Sequence, residues 1–467
     1  MMTGLGKPSG GRFPSVPSLR THGISFPAAL TVVLASSAIA LAETDSGVAD
    51  WTQFRGPGGS GAGIESNPPI TWSADENIVW KRELPGPGTS SPIVIGKKIF
   101  LTCFTGLKGS SDKNAEATKG LRRHLLCLER DTGKVLWTTD VETKFPVEDR
   151  IREDHGFASS TPAADPERVY VFFGTSGVFA FDHAGKQIWR ADVGSELHGW
   201  GSAASPVVHE DLVLVNASVE SQSLVALDRR TGKERWRAPG VREAWNTPLV
   251  VKLPGDSPPI PPVGGSGKSE IVIPIMKKVL AFDPASGEQL WSCDTEINWY
   301  MCPSAVAHDG IVYSIGGRSG GGLAVRAGGR GDVTGSRVLW RLKKGSNVSS
   351  PIYHDGHVYF AHENLGIAYC VNAKSGEVVY EERLQPEPGQ IYASPVLAGK
   401  RLYYVSRGGR TVVLAAKPKF EQLAQNPPLD RSTHNATPAI SGDQMLLRSD
   451  KYLYLIGASG GAASGRR

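Results

Sequence analysis

Eight short apolar segments, each opening on a small residue followed by proline, recur along this 467-residue chain. The prolines that mark them are Pro92, Pro162, Pro206, Pro248, Pro303, Pro351, Pro395 and Pro438. A second signal recurs between these marks: an Asp or Asn, a turn built on Gly, and an aromatic residue four positions after that Gly, as in residues 131–137 and 228–236. Such periodicity is the signature of a repeat protein and takes precedence over a domain count based on length.

Each repeat reads as four strands. Residues 91–102 are apolar and β-branched on both sides of a Gly-Lys turn, and residues 125–139 form a second hairpin around an Asp-Thr-Gly turn. One small sheet buries too little surface to be stable alone, so the repeats must pack face to face around an axis. We therefore predict an all-β fold, an eight-bladed β-propeller of four-stranded antiparallel blades, with Trp137, Trp189, Trp236 and Trp291 buried between blades.

The two ends of the repeat region predict how the ring closes. The last repeat supplies only three strands, in residues 436–456, while residues 77–84 carry a repeat-type Trp80 with no repeat before them. Pairing this N-terminal strand with the last blade removes the free sheet edges. We therefore assign residues 76–457 to the propeller, 43–75 to an N-terminal lead-in and 458–467 to a flexible tail.

Residues 1–42 have the features of a signal peptide. Lys7, Arg12 and Arg20 form a basic region without acids, residues 24–41 are largely apolar, and small residues at 40–42 resemble a cleavage site. We expect an exported protein, periplasmic or extracellular, that is not held at the membrane once the signal is removed. An uncleaved signal anchor is the alternative.

Charge and cysteine content exclude other classes of protein. The formal net charge is +5, and it falls to +2 without residues 1–42, which hold three basic and no acidic residues. A net charge this close to zero does not favour a nucleic-acid partner. Separately, we expect the protein to be a monomer. Five scattered cysteines are too few for a disulfide scaffold. Cys103 and Cys127 lie on neighbouring predicted strands, where a disulfide and two buried thiols are both open interpretations.

The segments that lead into the first strand of each repeat point to one mouth of the channel, where binding sites of propellers form. Their aromatic and polar residues have no evident duty in blade packing. The candidate site residues are His155, His198, Trp200, Trp245, Asn246, Asn298, Trp299, Tyr300, Tyr392, His434 and Asn435. The structural alternative is that they plug the channel. No metal site is expected, because the three histidines share no close spacing.

The repeats resemble those of the quinoprotein β-propellers. This group includes the dehydrogenases that depend on pyrroloquinoline quinone (PQQ) and BamB, the propeller lipoprotein of the outer-membrane β-barrel assembly machine. The resemblance covers roughly residues 51–457. Residues 51–57, with Gly61, Trp72 and Trp80, are also similar to the opening of exported PQQ-repeat-like propellers of planctomycete-type bacteria.

The resemblance implies either a PQQ-dependent dehydrogenase or a non-catalytic scaffold, and the two differ in the residues that they require. PQQ dehydrogenases hold the quinone beside Ca²⁺ or a lanthanide with Glu, Asn and Asp ligands, commonly under a disulfide of adjacent cysteines. This chain has no adjacent cysteines, and Asp154, Glu196 and Asn298 are candidate ligands only by position. We therefore expect no catalytic residues and no cofactor. The prediction is a scaffold or ligand-binding module that receives a cell-envelope protein or a small ligand at the channel mouth; a PQQ-dependent alcohol or sugar oxidoreductase with Ca²⁺ is the alternative.

Overall fold

The repeats form eight antiparallel sheets in the computed structural model, which describes residues 50–107, 118–147, 155–254, 269–318 and 320–458. Each sheet contains a four-stranded antiparallel blade, as the repeats predicted, and two of the sheets carry a short fifth strand added in parallel. The predicted signal peptide lies outside the described residues, as does the predicted tail except for its first residue. No helix in the described ranges is long and apolar enough to cross a membrane.

Blades 1 to 4 are each built from four successive strands. Blade 1 contains Ile93–Ile95, Lys98–Thr105, Arg122–Glu129 and Val135–Val141; blade 2 contains Ala163–Ala164, Arg168–Phe172, Val178–Asp182 and Gln187–Ala191. Blade 3 contains Val207–His209, Leu212–Ala217, Ser223–Asp228 and Glu234–Pro239; blade 4 contains Leu249–Lys252, Ser269–Ile275, Lys278–Phe282 and Gln289–Asp294. A short strand, Gly331–Asp332, adds in parallel to the outer strand of blade 4.

Blades 5 to 7 repeat this order, and blade 8 combines the two ends of the ring. Blade 5 contains Val306–His308, Ile311–Ile315, Gly322–Arg326 and Val338–Leu342; blade 6 contains Ile352–His354, His357–Ala361, Ile367–Asn372 and Val378–Arg383. Blade 7 contains Val396–Ala398, Arg401–Val405, Thr411–Ala415 and Gln422–Asn426; blade 8 contains Ala439–Ser441, Gln444–Arg448, Tyr452–Ile456 and Ile78–Glu83. The described 3₁₀ turns are Pro57–Gly59 and Gly174–Ser176.

The ring closes as the sequence predicted. Strand Ile78–Glu83 pairs antiparallel with Tyr452–Ile456, so the N-terminal strand is the fourth strand of blade 8. The lone Trp80 occupies the position that the repeat tryptophans occupy in other blades. Its indole Nε1 donates to the carbonyl oxygen of Arg130 in blade 1 at 2.8 Å, which joins the last blade to the first.

In blades 1 to 4 and 6, the recurring Asp or Asn and Gly residues build the turn before the outer strand. Asp228 accepts hydrogen bonds at Oδ1 from the amides of Arg230 and Thr231, at 3.1 and 2.9 Å. Gly232 follows with φ of 73°, a left-handed conformation that favours glycine. The ladder then shifts by one residue before Trp236. The turn therefore fixes where the repeat aromatic lies on the outer strand.

Apart from Trp291, whose indole donates to the Glu270 carboxylate of its own blade at 2.8 Å, the repeat tryptophans dock on this same turn in the next blade. The indole of Trp236 donates to the carbonyl of Pro284 at 2.9 Å, and a Cβ on Gly287 would lie 2.5 Å from the ring. Trp189 and Trp340 make the equivalent contacts with blades 3 and 6. Trp189, Trp236 and Trp291 are buried as predicted, but Trp137 is only half-buried, although it still donates to His183.

The structure corrects one detail of the sequence interpretation and decides between two interpretations of another. Blade 5 does not follow the small-residue and proline pattern, because Ser304 and Ala305 occupy the positions of that pair and Pro303 precedes them. In blade 1, Cys103 and Cys127 are free, and each packs on a different face of the sheet. Side chains on opposite faces of a sheet cannot be bridged by a disulfide, so both thiols serve as small buried apolar groups.

Candidate functional site

A belt of eight hydroxyl side chains, one from each blade, lines the central channel. Each member lies two residues before the first strand of its blade: Ser91, Thr161, Ser205, Thr247, Ser304, Ser350, Ser394 and Thr437. All eight are buried. In seven successive pairs the backbone amide of one member donates to the hydroxyl oxygen of the next, over 2.9 to 3.2 Å. The belt therefore ties each blade to its neighbour around the channel.

The belt is interrupted where blade 8 meets blade 1. The hydroxyl of Ser91 is buried and has no hydrogen-bond partner among the described residues. A buried guanidinium spans this junction instead: Arg448 of blade 8 donates to the carbonyl and hydroxyl oxygens of Ser90, both at 2.6 Å, and to the carbonyl of Thr102 at 2.8 Å. Burial lowers the pKa of Arg448 to about 10, which leaves the group charged at neutral pH.

The lead-in segment closes one end of the channel. Trp51 exchanges two backbone hydrogen bonds with Val94 of blade 1, and the carbonyl of Thr52 accepts from the amide of Ala164 in blade 2. Farther along, Ala62–Gly63 pairs in parallel with Val396–Ala398 of blade 7. All these contacts fall downstream of the belt along the first strands, so the lead-in lies at that end of the channel.

Residues 53–61 turn sharply beneath the channel. The amide of Gly61 donates to the carbonyl of Arg55 at 2.7 Å, and Arg55 donates to the carbonyl of Pro351 in blade 6. Gly56 has φ of 65°, and a Cβ there would lie 2.4 Å from the Trp51 ring, so only glycine fits. Phe54 lines the channel cavity and forms its floor.

A second ring lies on the other side of the belt. It consists of the residues two positions before each belt residue: Thr89, Ser159, Ala203, Trp245, Cys302, Val348, Tyr392 and Asn435. The spacing of two follows from extended backbone, in which alternate side chains point the same way. The ring is uneven, because blades 1 to 3 contribute small residues and blades 4 and 7 contribute aromatic ones.

Four residues complete the mouth: His155, Trp200, Tyr300 and Asn347. Tyr300 is the centre of an aromatic cluster, with ring centroids 5.8 Å from Trp200 and 5.5 Å from Trp245. The Trp245 indole is fixed by a 2.7 Å hydrogen bond to the carbonyl of Gly201. Floor, belt, second ring and mouth enclose a cavity of about 210 Å³, which we name the cup.

Six of the predicted site residues line the cup. They are His155, Trp200, Trp245, Tyr300, Tyr392 and Asn435. His155 Nδ1 and the Ser159 hydroxyl share a hydrogen bond of 2.6 Å. The guanidinium carbon of Arg407 lies 4.5 Å from the centre of the Tyr392 ring. Their binding role remains a prediction, but their convergence on one cavity agrees with it.

Five predicted residues lie outside the cup, and three of them surround the mouth. His198 is exposed and packs edge-on against Trp245 at 5.0 Å. Asn298 is exposed, and Trp299 packs on Tyr300 and under Arg318. The cavity lining does not include these three side chains, because positions on the same loop alternate in direction. Their predicted role at the binding rim stays a prediction.

Asn246 and His434 are buried behind the cup. The Asn246 amide nitrogen donates to the carbonyls of Pro274 and Met301, at 2.7 and 3.2 Å, which joins blade 4 to the loop before blade 5. The His434 side chain is fully buried and bonds the carbonyl of Ser432 through Nδ1 at 2.9 Å. Burial lowers the pKa of His434. Both side chains serve loop structure.

The described lining of the cup carries no Asp, Glu, Lys or Arg. Its titratable side chains are one histidine, two tyrosines and Cys302, whose pKa burial raises to about 12. The thiol is therefore neutral at physiological pH. The cup combines hydroxyl and amide groups with aromatic rings and no fixed charge.

These residues do not fit PQQ with Ca²⁺. PQQ carries three carboxylates, and Ca²⁺ takes six to eight oxygen ligands that include carboxylates. The described lining supplies neither a cation for the quinone nor an acid for the metal, and the described residues hold no group of three His, Cys, Asp or Glu suited to a metal ion. Glu196 bonds Gln222 on the surface, and Asp154 lies outside the described residues.

Sequence reasoning missed the belt, most of the second ring and the floor. The Ser or Thr before seven of the eight repeat prolines was visible, but it served only as a strand marker. Counting two residues back from that position would have found the second ring. Phe54 had no such signal, because the lead-in reaches the channel only through contacts with distant blades.

Comparison with known proteins assigns the family. A family model described as outer membrane protein assembly factor BamB matches residues 73–247 and 276–464. The chain belongs to the BamB family. BamB from Burkholderia pseudomallei is 22% identical over 381 residues, which cover 72% of this chain and 87% of that protein.

Solved structures agree with the family in fold. BamB from Moraxella catarrhalis superposes with a TM-score of 0.55 at 14% identity, covering 84% of this chain and 98% of that chain. A europium-containing methanol dehydrogenase superposes with a TM-score of 0.57 at 11% identity, covering 87% and 98%. At such identities the likeness shows the propeller fold alone, and it does not separate a BamB-like scaffold from an enzyme.

Proposed function

We propose that this chain is an exported, non-catalytic propeller of the cell envelope, a scaffold or ligand-binding module whose partner enters the cup mouth. The observation that carries the proposal is the uncharged lining of a cavity that is closed at one end and aromatic at the other. An open cavity with convergent polar groups is a binding site by default. Export, a periplasmic or extracellular location and a monomeric state belong to the proposal.

The alternative is a PQQ-dependent oxidoreductase, which the likeness to a methanol dehydrogenase keeps in view. The choice between them depends on charge. A tricarboxylate in this cup would face no counter-charge from the described lining, and burial of unpaired charges is strongly unfavourable. A neutral surface of a partner incurs no such cost.

The test has two arms on the full chain. In the first, PQQ with Ca²⁺ should neither raise the melting temperature nor support dye reduction with primary alcohols. In the second, a photo-crosslinking residue at Tyr392 in the producing cell should yield a discrete adduct, and one at Leu136, 45% exposed on the outer strand of blade 1, should not. Alcohol-dependent turnover, or adducts from Leu136 alone, would reject the proposal.

A further inference from the structure

The belt leaves hydrogen-bond donors that need acceptors in the cup. Seven belt hydroxyls accept a backbone amide, and none of them donates to an acceptor among the described residues. A hydroxyl group can donate and accept at once. The seven protons are therefore free for oxygen atoms of an occupant in the channel.

The walls of the cup differ in chemistry. On the side of blades 3 to 5, Trp200, Trp245 and Tyr300 line the cavity as one aromatic cluster. On the side of blades 1 and 2, the second ring presents the hydroxyl oxygens of Thr89 and Ser159, which themselves donate to the carbonyl of His155 at 3.2 and 2.9 Å. An occupant that fits both walls has one apolar face and several hydroxyl groups.

Size and charge narrow the occupant further. The cup volume of about 210 Å³ is below the roughly 300–1,000 Å³ of sites for drug-sized ligands, so it holds one ring-sized unit. The described lining carries no charged side chain. A charged unit would lose hydration without gaining a counter-ion, and an aliphatic side chain would leave the belt protons without acceptors.

We propose that the cup binds one sugar residue of an uncharged saccharide. The pyranose ring stacks its C–H face on the aromatic cluster, and its hydroxyl groups accept hydrogen bonds from the belt. This inference rests on the proposed function, since it names the occupant of the same mouth. It commits the site to a neutral polyhydroxylated ligand.

Binding is tested with a series of probes that keep the ring and change its charge. Calorimetry with methyl β-D-glucopyranoside should give saturable binding with a dissociation constant of about 1 mM, as expected for a ligand of this size. D-Glucuronate, D-glucosamine and cyclohexylmethanol should each bind at least about tenfold more weakly, because they add a charge or remove the hydroxyl groups. Saturation-transfer NMR on the unmodified protein should show transfer from aromatic protons to the sugar C–H protons.

Two neighbouring tryptophans provide a matched pair of variants. Trp200 lines the cup, whereas Trp299 packs on the same Tyr300 from outside it. Trp200→Ala should weaken binding of the glucoside at least about tenfold, as for a stacking anchor. Trp299→Ala should change it by less than about twofold.

The outcomes separate this inference from the proposed function. Absence of saturable binding by the neutral glucoside, or equal binding of the glucuronate, overturns the saccharide assignment. Such a result leaves the crosslinking and PQQ arms unaffected, because neither uses a sugar. Equal loss of binding in the two tryptophan variants would place the sugar outside the cup and overturn the assignment as well.

Discussion

Removing one belt hydroxyl should loosen one blade junction, and the belt supplies its own control. In Ser205→Ala, the buried amide of Thr161 loses the acceptor that now lies at 3.0 Å. A buried donor left without a partner costs about 1–3 kcal/mol, and alanine introduces no clash. In Ser91→Ala no amide loses its acceptor, because the Ser91 hydroxyl has no partner among the described residues. We expect a change of about zero there.

Hydrogen exchange followed by mass spectrometry reads the junction directly. A local loss of about 1–3 kcal/mol corresponds to exchange about 5- to 150-fold faster in a peptide that contains Thr161, at tenfold per 1.4 kcal/mol. A peptide from the outer strand of blade 6, Val378–Arg383, should not change and serves as the internal reference. Equal acceleration in Ser91→Ala and Ser205→Ala, or none in either, would refute the belt as a source of stability.

Three further predictions concern the blade turns and one buried histidine. Gly287→Ala should destabilise the protein by at least about 2 kcal/mol more than Gly356→Ala, because both glycines have φ of 74° but only the first meets a tryptophan ring, and urea unfolding compares them. Trp236→Ala should lower the free energy of unfolding by about 3–5 kcal/mol in the same assay. Trp236→Phe should lower it by about 1 kcal/mol, because this change mainly removes the indole donor. Burial lowers the pKa of His434 below the usual 6.5. As the pH drops below 6.5 the unfolded chain therefore takes up a proton before the folded chain does, and the stability of the protein should fall. His434→Asn should flatten that part of a profile of melting temperature against pH.

The fold could be predicted from the sequence because the turn residues of the repeats determine the local structure of their hairpins. The Asp and Gly turn fixes the outer hairpin locally, and the unaccompanied Trp80 showed which blade needed a strand. Features that depend on contacts far apart in sequence were not readable. The parallel strand Gly331–Asp332 pairs with the outer strand of blade 4 beside Leu290. Leu290 is buried, whereas its counterparts Leu136 and Ile188 in blades 1 and 2 are exposed.

The sequence predicted which loop segments form the site, but not which of their side chains point into the cavity. In the pairs Trp245 with Asn246 and Asn435 with His434, one residue lines the cup and its neighbour is buried behind it. Neighbours on extended backbone point to opposite sides, so loop position alone does not show which of two adjacent residues faces the cavity. Registering each loop against its belt residue resolves the direction, since positions two before the belt line the cup in all eight blades.

The charge distribution explains how a propeller with buried arginines retains a neutral cup. Arg448 donates to the carbonyl oxygens of Ser90 and Thr102 where blade 8 meets blade 1. Arg55 donates to the backbone of blade 6 beneath the floor of the cup. Neither side chain lines the cavity. Burial lowers the pKa of Arg55 to about 9, and its guanidinium donates to the carbonyl oxygens of Ser60 and Pro351. The cations thus act on the frame of the ring, and recognition in the cup is left to hydroxyl groups and aromatic rings.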